Sequence, residues 1–191
     1  MRPYVLTSIV ALALVAQSCC CCTMIGGPEP PYAITPSGDA VQRFKERWST
    51  VVDGSLDGSF DITMTEEEMT SLIAQSLEKQ EDAPPVSDLQ VHFRNGRIEV
   101  YATVTVNESI PLPGLVAFSA AATDGSISVT LEEIAFGPLP IPDSVLEAST
   151  DMLNELISSS MTTEMGEVAI TDIQVGEGEM TLTGTIASDS P

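Results

Sequence analysis

Ile170 to Ile186 reads ITDIQVGEGEMTLTGTI, and Val86 to Val104 reads VSDLQVHFRNGRIEVYATV. Each opens with an apolar residue, a hydroxyl residue, Asp, an apolar residue, Gln and Val, then passes a Gly-bearing turn and returns as an alternating strand. A short amphipathic segment precedes each copy, Glu66 to Gln80 and Asp143 to Met161. The repeated unit is therefore a helix followed by a hairpin. Two copies are too few for a solenoid, which needs three or more stacked units. The expected fold class is α+β, with an antiparallel sheet and two or three amphipathic helices built from two helix-hairpin halves around one apolar interior.

The flanking sequence supports this reading. Thr35-Pro36-Ser37 precedes Val41, Phe44, Trp48, Val51 and Val52, which fall on one helical face, so a helix is expected from about Ser37 to Val52. Lys45 and Arg47 flank that stripe and read as a solvated surface paired with nearby acids. Asp53 to Asp61 reads as turns leading into a strand from Phe60 to Met64. Thr65-Glu66-Glu67-Glu68 matches a capping box, in which a hydroxyl accepts from a first-turn amide and the Glu side chain reaches back. Asn95-Gly96 and Asp124-Gly125 are hairpin turns, since both positions of a type I′ turn need positive φ. The strands around them form a meander, with Ala117, Ala120, Ala121 and Ala122 leaving room on the sheet. Gly137 to Pro142 breaks the sheet ahead of the longest helix, whose seam is Val145, Leu146, Met152, Leu153, Leu156, Ile157 and Met161.

The N-terminus is different in kind. One early Arg2 precedes an apolar run from Val5 to Val15, a signal-like segment too short to span a bilayer alone. Ala16 and Ser18 before Cys19 suit a lipoprotein cleavage site with Cys19 lipidated; extension of the apolar run through Gly27 suits an uncleaved anchor instead. Both leave the body outside the cell membrane, because no base follows Arg2 until Arg43. The four cysteines are consecutive, Cys19 to Cys22, which excludes a disulfide framework and makes a poor tetrahedral metal site. Residues 1–22 are thus read as signal peptide or anchor, 23–34 as a Pro/Gly-rich tether, and 35–187 as one domain.

Charge and chemistry narrow the function. The chain carries 28 acids against 7 bases, a net charge of −21, and from Ile98 to Pro191 there are 15 acids and no base. Nucleic acid is excluded as a partner, since phosphate binding needs clustered Lys and Arg. His92 is the only histidine, and strand alternation points it to solvent, away from Val91 and Phe93. Glu132 and Glu133 are adjacent in a strand, so they point to opposite faces and cannot flank one bond. No catalytic motif, cofactor fingerprint or metal-ligand spacing occurs. Asp172 and Gln174, with Asp88 and Gln90, recur in register and are read as wet strand-face residues rather than a duplicated site.

FDITMTEEE from Phe60 to Glu68, VSDLQV from Val86, GPLPIP from Gly137 before a helix, and ITDIQV from Ile170 together resemble the exported bacterial proteins grouped as LmeA-like and YpmS-like, over about residues 58 to 187. The resemblance implies a curved antiparallel sheet wrapped around helices, similar to tubular lipid-binding modules, and phospholipid binding in the LmeA-like branch. It carries over no catalytic or ligand residue. On this reading Val145, Met152, Leu153, Leu156, Ile157 and Met161 face an acyl chain, methionines lining an adaptable apolar site. The alternative is an acidic cell-envelope scaffold with a filled core and a basic protein partner.

Overall fold

A computed structural model describes residues 26–54, 58–79, 85–106, 110–137, 139–140, 150–151, 154 and 168–186. Helix α1 (Gly38–Gly54) leads into β1 (Ser59–Thr65), α2 (Glu66–Glu78), β2 (Val86–Arg94), β3 (Arg97–Val106), β4 (Ile110–Thr123), β5 (Ser126–Phe136), β6 (Leu139–Pro140), β7 (Val168–Val175) and β8 (Glu179–Ile186). Thr150, Asp151 and Asn154 are also helical. The class is α+β with antiparallel pairing throughout. Among the described residues no helix is long and apolar enough to cross a membrane.

The strands divide between two sheets where one was expected. β1-β8-β7 make one, and β2-β3-β4-β5-β6 the other. The two repeat hairpins therefore sit in different sheets. Turns lock them together: the Gly178 N–H donates to Phe93 O at 3.0 Å, and the Ile170 N–H to Gly125 O at 2.9 Å. Leu139-Pro140, expected to break the sheet, instead adds a two-residue strand beside Ala135 and Phe136.

Local chemistry explains the elements. The capping box is formed as expected, with Glu68 N–H to Thr65 Oγ1 at 3.3 Å and Thr65 N–H to Glu68 Oε2 at 3.1 Å. Asn95-Gly96 and Asp124-Gly125 all take positive φ, as type I′ turns require. Each sheet also contains one aromatic laid across a glycine. Gly184 pairs with Phe60, and Gly114 with Phe136. A Cβ on either glycine would stand 2.6 Å from that ring, so only glycine permits the crossing.

The core lies between the sheets and under the helices. Val91, Phe93, Ile98 and Met180 form one buried cluster, against which Met69, Ile73, Phe118 and Leu182 pack. Phe60, Ile62 and Ile170 form another, covered by Phe44 and Trp48 of α1. Trp48 meets Phe60 edge-on at 5.7 Å. Complete burial of a side chain such as Phe93 contributes roughly 1.5–3 kcal/mol.

Two open stretches of the five-stranded sheet, the outer strand β2 and the part of β5 that β6 does not cover, are closed by helical side chains four residues apart. On β2, the Phe93 N–H donates to Glu66 Oε1 at 2.7 Å and the Val91 N–H to Thr70 Oγ1 at 2.9 Å. On β5, the Leu131 N–H donates to Thr150 Oγ1 at 3.1 Å, and Asn154 bonds both the N–H and the carbonyl of Val129 at 2.8 Å. The match is geometric: four helical residues rise about 6 Å and two strand residues about 6.7 Å. Strand edges that would otherwise recruit another chain are thereby satisfied.

Candidate functional site

One face of the five-stranded sheet is apolar from end to end. Across β3 and β4 the register pairs Ile98 with Phe118, Val100 with Val116, Ala102 with Gly114 and Val104 with Leu112. The row continues into β5 through Ile134 and Phe136, and into β2 through Val91 and Val86. The end bearing Phe93, Ile98 and Phe118 is closed by Met180, Ile173 and Leu182 from the smaller sheet and by Met69 and Ile73 from α2. Beyond that packed end, Ala102, Val104, Leu112, Val116, Ile134 and Phe136 are only half-buried, and Ile110 is 42% exposed. An apolar surface that outruns its own core is where a hydrophobic ligand is to be sought.

A groove adjoins it. Residues 33–36, the end of α2 and the start of β2 enclose about 560 Å³, with Ile34, Pro36, Leu77 and Leu89 as apolar walls and Glu78, Asp88 and Gln90 as polar ones. Val86 belongs to both features, since it lines the groove and pairs with Val104 on the apolar face.

The opposite face carries a buried polar cluster that was not legible in the sequence. His92, expected in solvent, is fully buried, as are its neighbours Val91 and Phe93. Its cover is the segment read as a free tether: Tyr32 meets the His92 ring edge-on at 4.7 Å, and Tyr101 meets it from β3 at 5.5 Å. The Tyr32 hydroxyl donates to Glu66 Oε2. Neither ring nitrogen of His92 has a hydrogen-bond partner among the described residues. Burial holds its pKa below the ordinary 6.5; Glu66 and Glu99 pull upward and Arg94 pushes down. Tyr101 is pushed up to about 12, first by burial and then by donating to Glu99 Oε2 at 3.0 Å. Glu99 is in turn paired with Arg97 at 2.9 Å.

The acid pair and the alanines also need correction. A register shift between Ala117 and Phe118 leaves Glu132 outside the β4–β5 pairing, and Glu132 and Glu133 are both exposed. The alanines divide between faces: Ala117 is buried beside Tyr101 and Leu115, Ala120 and Ala122 pack in the two main clusters, and Ala121 is exposed. Met64 and Met180 are buried and Met69 packs against the core, so these three fill space between elements. Arg47 pairs with an acid as expected, meeting Glu68 at 2.6 Å, and Arg43 pairs with Glu67 at 2.9 Å.

The seam residues Val145, Met152, Leu153, Leu156, Ile157 and Met161, and Cys19, lie outside the described residues. Thr150 and Asn154, which belong to the same stretch, bring that helical segment to β5 at Leu131 and Val129. Both of these strand residues are buried.

The architecture defined by these observations is an antiparallel α+β domain with an extended apolar sheet face beside a groove. The chain belongs to the LmeA-like phospholipid-binding family, whose model matches residues 42–185. No curated protein matches it.

Proposed function

We propose that this protein is an extracytoplasmic, membrane-tethered module that binds the acyl chains of phospholipid and performs no catalysis. The observation that carries the reading is the half-buried continuation of the apolar face, from Ala102 and Val104 to Ile134 and Phe136, past the end closed by the smaller sheet. Membership of a phospholipid-binding family supports the same ligand class. The seam Val145, Met152, Leu153, Leu156, Ile157 and Met161 then supplies the other wall, from a helix whose Thr150 and Asn154 already hold β5. Residues 1–22 act as signal peptide or anchor, with Cys19 lipidated in the lipoprotein form. The lone His92 is sealed beneath Tyr32, away from any lipid ester.

Native mass spectrometry of the full chain released from membranes in mild detergent tests the ligand. Co-purified phospholipid, lost on Val116→Asp while the fold is retained, is the expected result. Ligand-free protein that takes up no lipid from phosphatidylcholine vesicles would overturn the reading.

A further inference from the structure

The segment 26–37 lies across the sheet. Gly27 sits against Pro113 and Gly137, close enough that a Cβ would come within 2.9 Å of the Pro113 side chain. The Ile34 N–H donates to Gln90 Oε1 at 2.8 Å, and the Ser37 N–H to Ser71 Oγ at 3.0 Å. Tyr32 is 47% exposed, so the cover over His92 is one side chain deep. Residues 33–36 of the same segment form the outer wall of the 560 Å³ groove.

Beneath it, His92 is surrounded by ionisable and charged groups from every element that meets it. Tyr32 comes from the segment, Glu66 from α2 with Oε1 3.7 Å from Nδ1, Arg94 from its own strand, and Glu99 and Tyr101 from β3. Arg94 also lies over the Tyr32 ring at 5.2 Å. A neutral imidazole is tolerated there, but a cation must be stripped of water, and that cost outweighs the two carboxylates. The Tyr32 phenol is held protonated by its bond to Glu66, which raises its pKa further, so it does not titrate in the neutral and mildly acidic range.

We propose that residues 26–37 are a proton-released strap: protonation of His92 lifts Tyr32, unseats residues 33–36 and opens the groove. The strap motion stands independently of the lipid reading, and only its consequence for uptake rests on that reading. The sign follows from linkage. The closed state disfavours the proton, so closure is fully stable above about pH 6.5, where the freed histidine is neutral, and weakens as the pH falls below it.

Amide hydrogen exchange of the full chain, followed by NMR at about pH 7.5 and about pH 5 and corrected for intrinsic rates, reads the strap directly. The opening constant of the Ile34 and Ser37 amides should rise up to about tenfold per pH unit below 6.5, while the Val91 amide on Thr70 stays protected. His92→Phe should keep the strap closed at both pH values, and Tyr32→Ala should leave it open at both. Unchanged wild-type protection, loss at Val91 in parallel, or a pH response that survives in His92→Phe overturns the proposal. Should His92→Phe fail to fold, the ring titration of His92 decides, since its midpoint must coincide with the loss of Ile34 protection. A strap that opens without lipid uptake at either pH leaves this inference standing and removes the lipid one.

Discussion

β2 opens and β7 closes with nearly the same six residues, Val86-Ser87-Asp88-Leu89-Gln90-Val91 and Ile170-Thr171-Asp172-Ile173-Gln174-Val175. Both break register within the motif but at different points, between its second and fifth residues, Ser87 and Gln90, in one and between its first and third, Ile170 and Asp172, in the other. In the first copy Asp88 takes a φ of 54°, a conformation that Asp tolerates better than most residues. Each copy therefore carries a bulge that bends the incoming strand, placed differently in the two. What differs is the cover. Gln90 accepts the Ile34 N–H of the strap, whereas Gln174 is exposed and, among the described residues, donates to its neighbour Asp172 at 2.7 Å. Val91, His92 and Phe93 are all buried, so the end of β2 is closed on both faces, while Thr171, Asp172 and Gln174 keep β7 wet on one. Backbone irregularity is inherited by both copies, and burial is decided by which neighbour arrives.

The largest break in that comparison should come from the doubly closed strand. Phe93→Ala leaves a cavity in the main cluster and is expected to cost about 3–5 kcal/mol in urea unfolding, against no more than about 2 kcal/mol for Val175→Ala in the second copy. Equal losses would show that the smaller sheet is packed as tightly as the larger one.

The helix of the first copy adds a charged device, next in size. Burial alone would raise the pKa of Glu68, but its bonds to Arg47 and to the Thr65 N–H outweigh burial and leave it below the ordinary 4.5. A depressed carboxylate stabilises the fold above that value and ceases to do so as the pH falls through the folded pKa. Glu68→Gln should cost about 1.5–3 kcal/mol at neutral pH and flatten the acid limb of the stability curve. An acid limb identical to that of the parent would assign acid sensitivity to other groups. Somewhat smaller is the edge bond: Thr70→Val keeps the shape but strands the buried Val91 N–H, for about 1–2 kcal/mol.

Much of this was written in the chain where the signal is local. The capping box at Thr65 and Glu68 and the turns at Asn95-Gly96 and Asp124-Gly125 depend on residues close in sequence, and they formed as read. Period two in β3 located the apolar face, because alternation reports which residues share a side. Alternation does not report what lies beyond that side. His92 looked solvent-facing because a strand says nothing about a segment sixty positions earlier that crosses it. The partition into two sheets was hidden for the same reason: the repeat shows that two hairpins are alike, but the first pairs with β4, the next strand in the chain, whereas the second pairs with β1, far upstream. Gly-Gly-Pro and Pro-Pro before Tyr32 read as a spacer, yet Tyr32, Ile34 and Ser37 each carry a group that finds a partner on the domain.

The smallest effects separate the two glutamines. Gln174→Ala removes an exposed side chain whose one described bond is to a neighbour two residues away, and it should change stability by less than about 0.5 kcal/mol. Gln90→Ala removes the acceptor that holds the Ile34 N–H, and about 0.5–1.5 kcal/mol is expected. The more telling contrast is local. In Gln90→Ala, exchange at Ile34 should accelerate well before global unfolding, because Tyr32 and Ser37 still hold the strap on either side, whereas Gln174→Ala should leave every strap amide as it was. If both substitutions are equally silent at Ile34, the strap is held by Tyr32 and Ser37 alone, and the glutamine of the repeat serves the bulge in both copies rather than the strap in one.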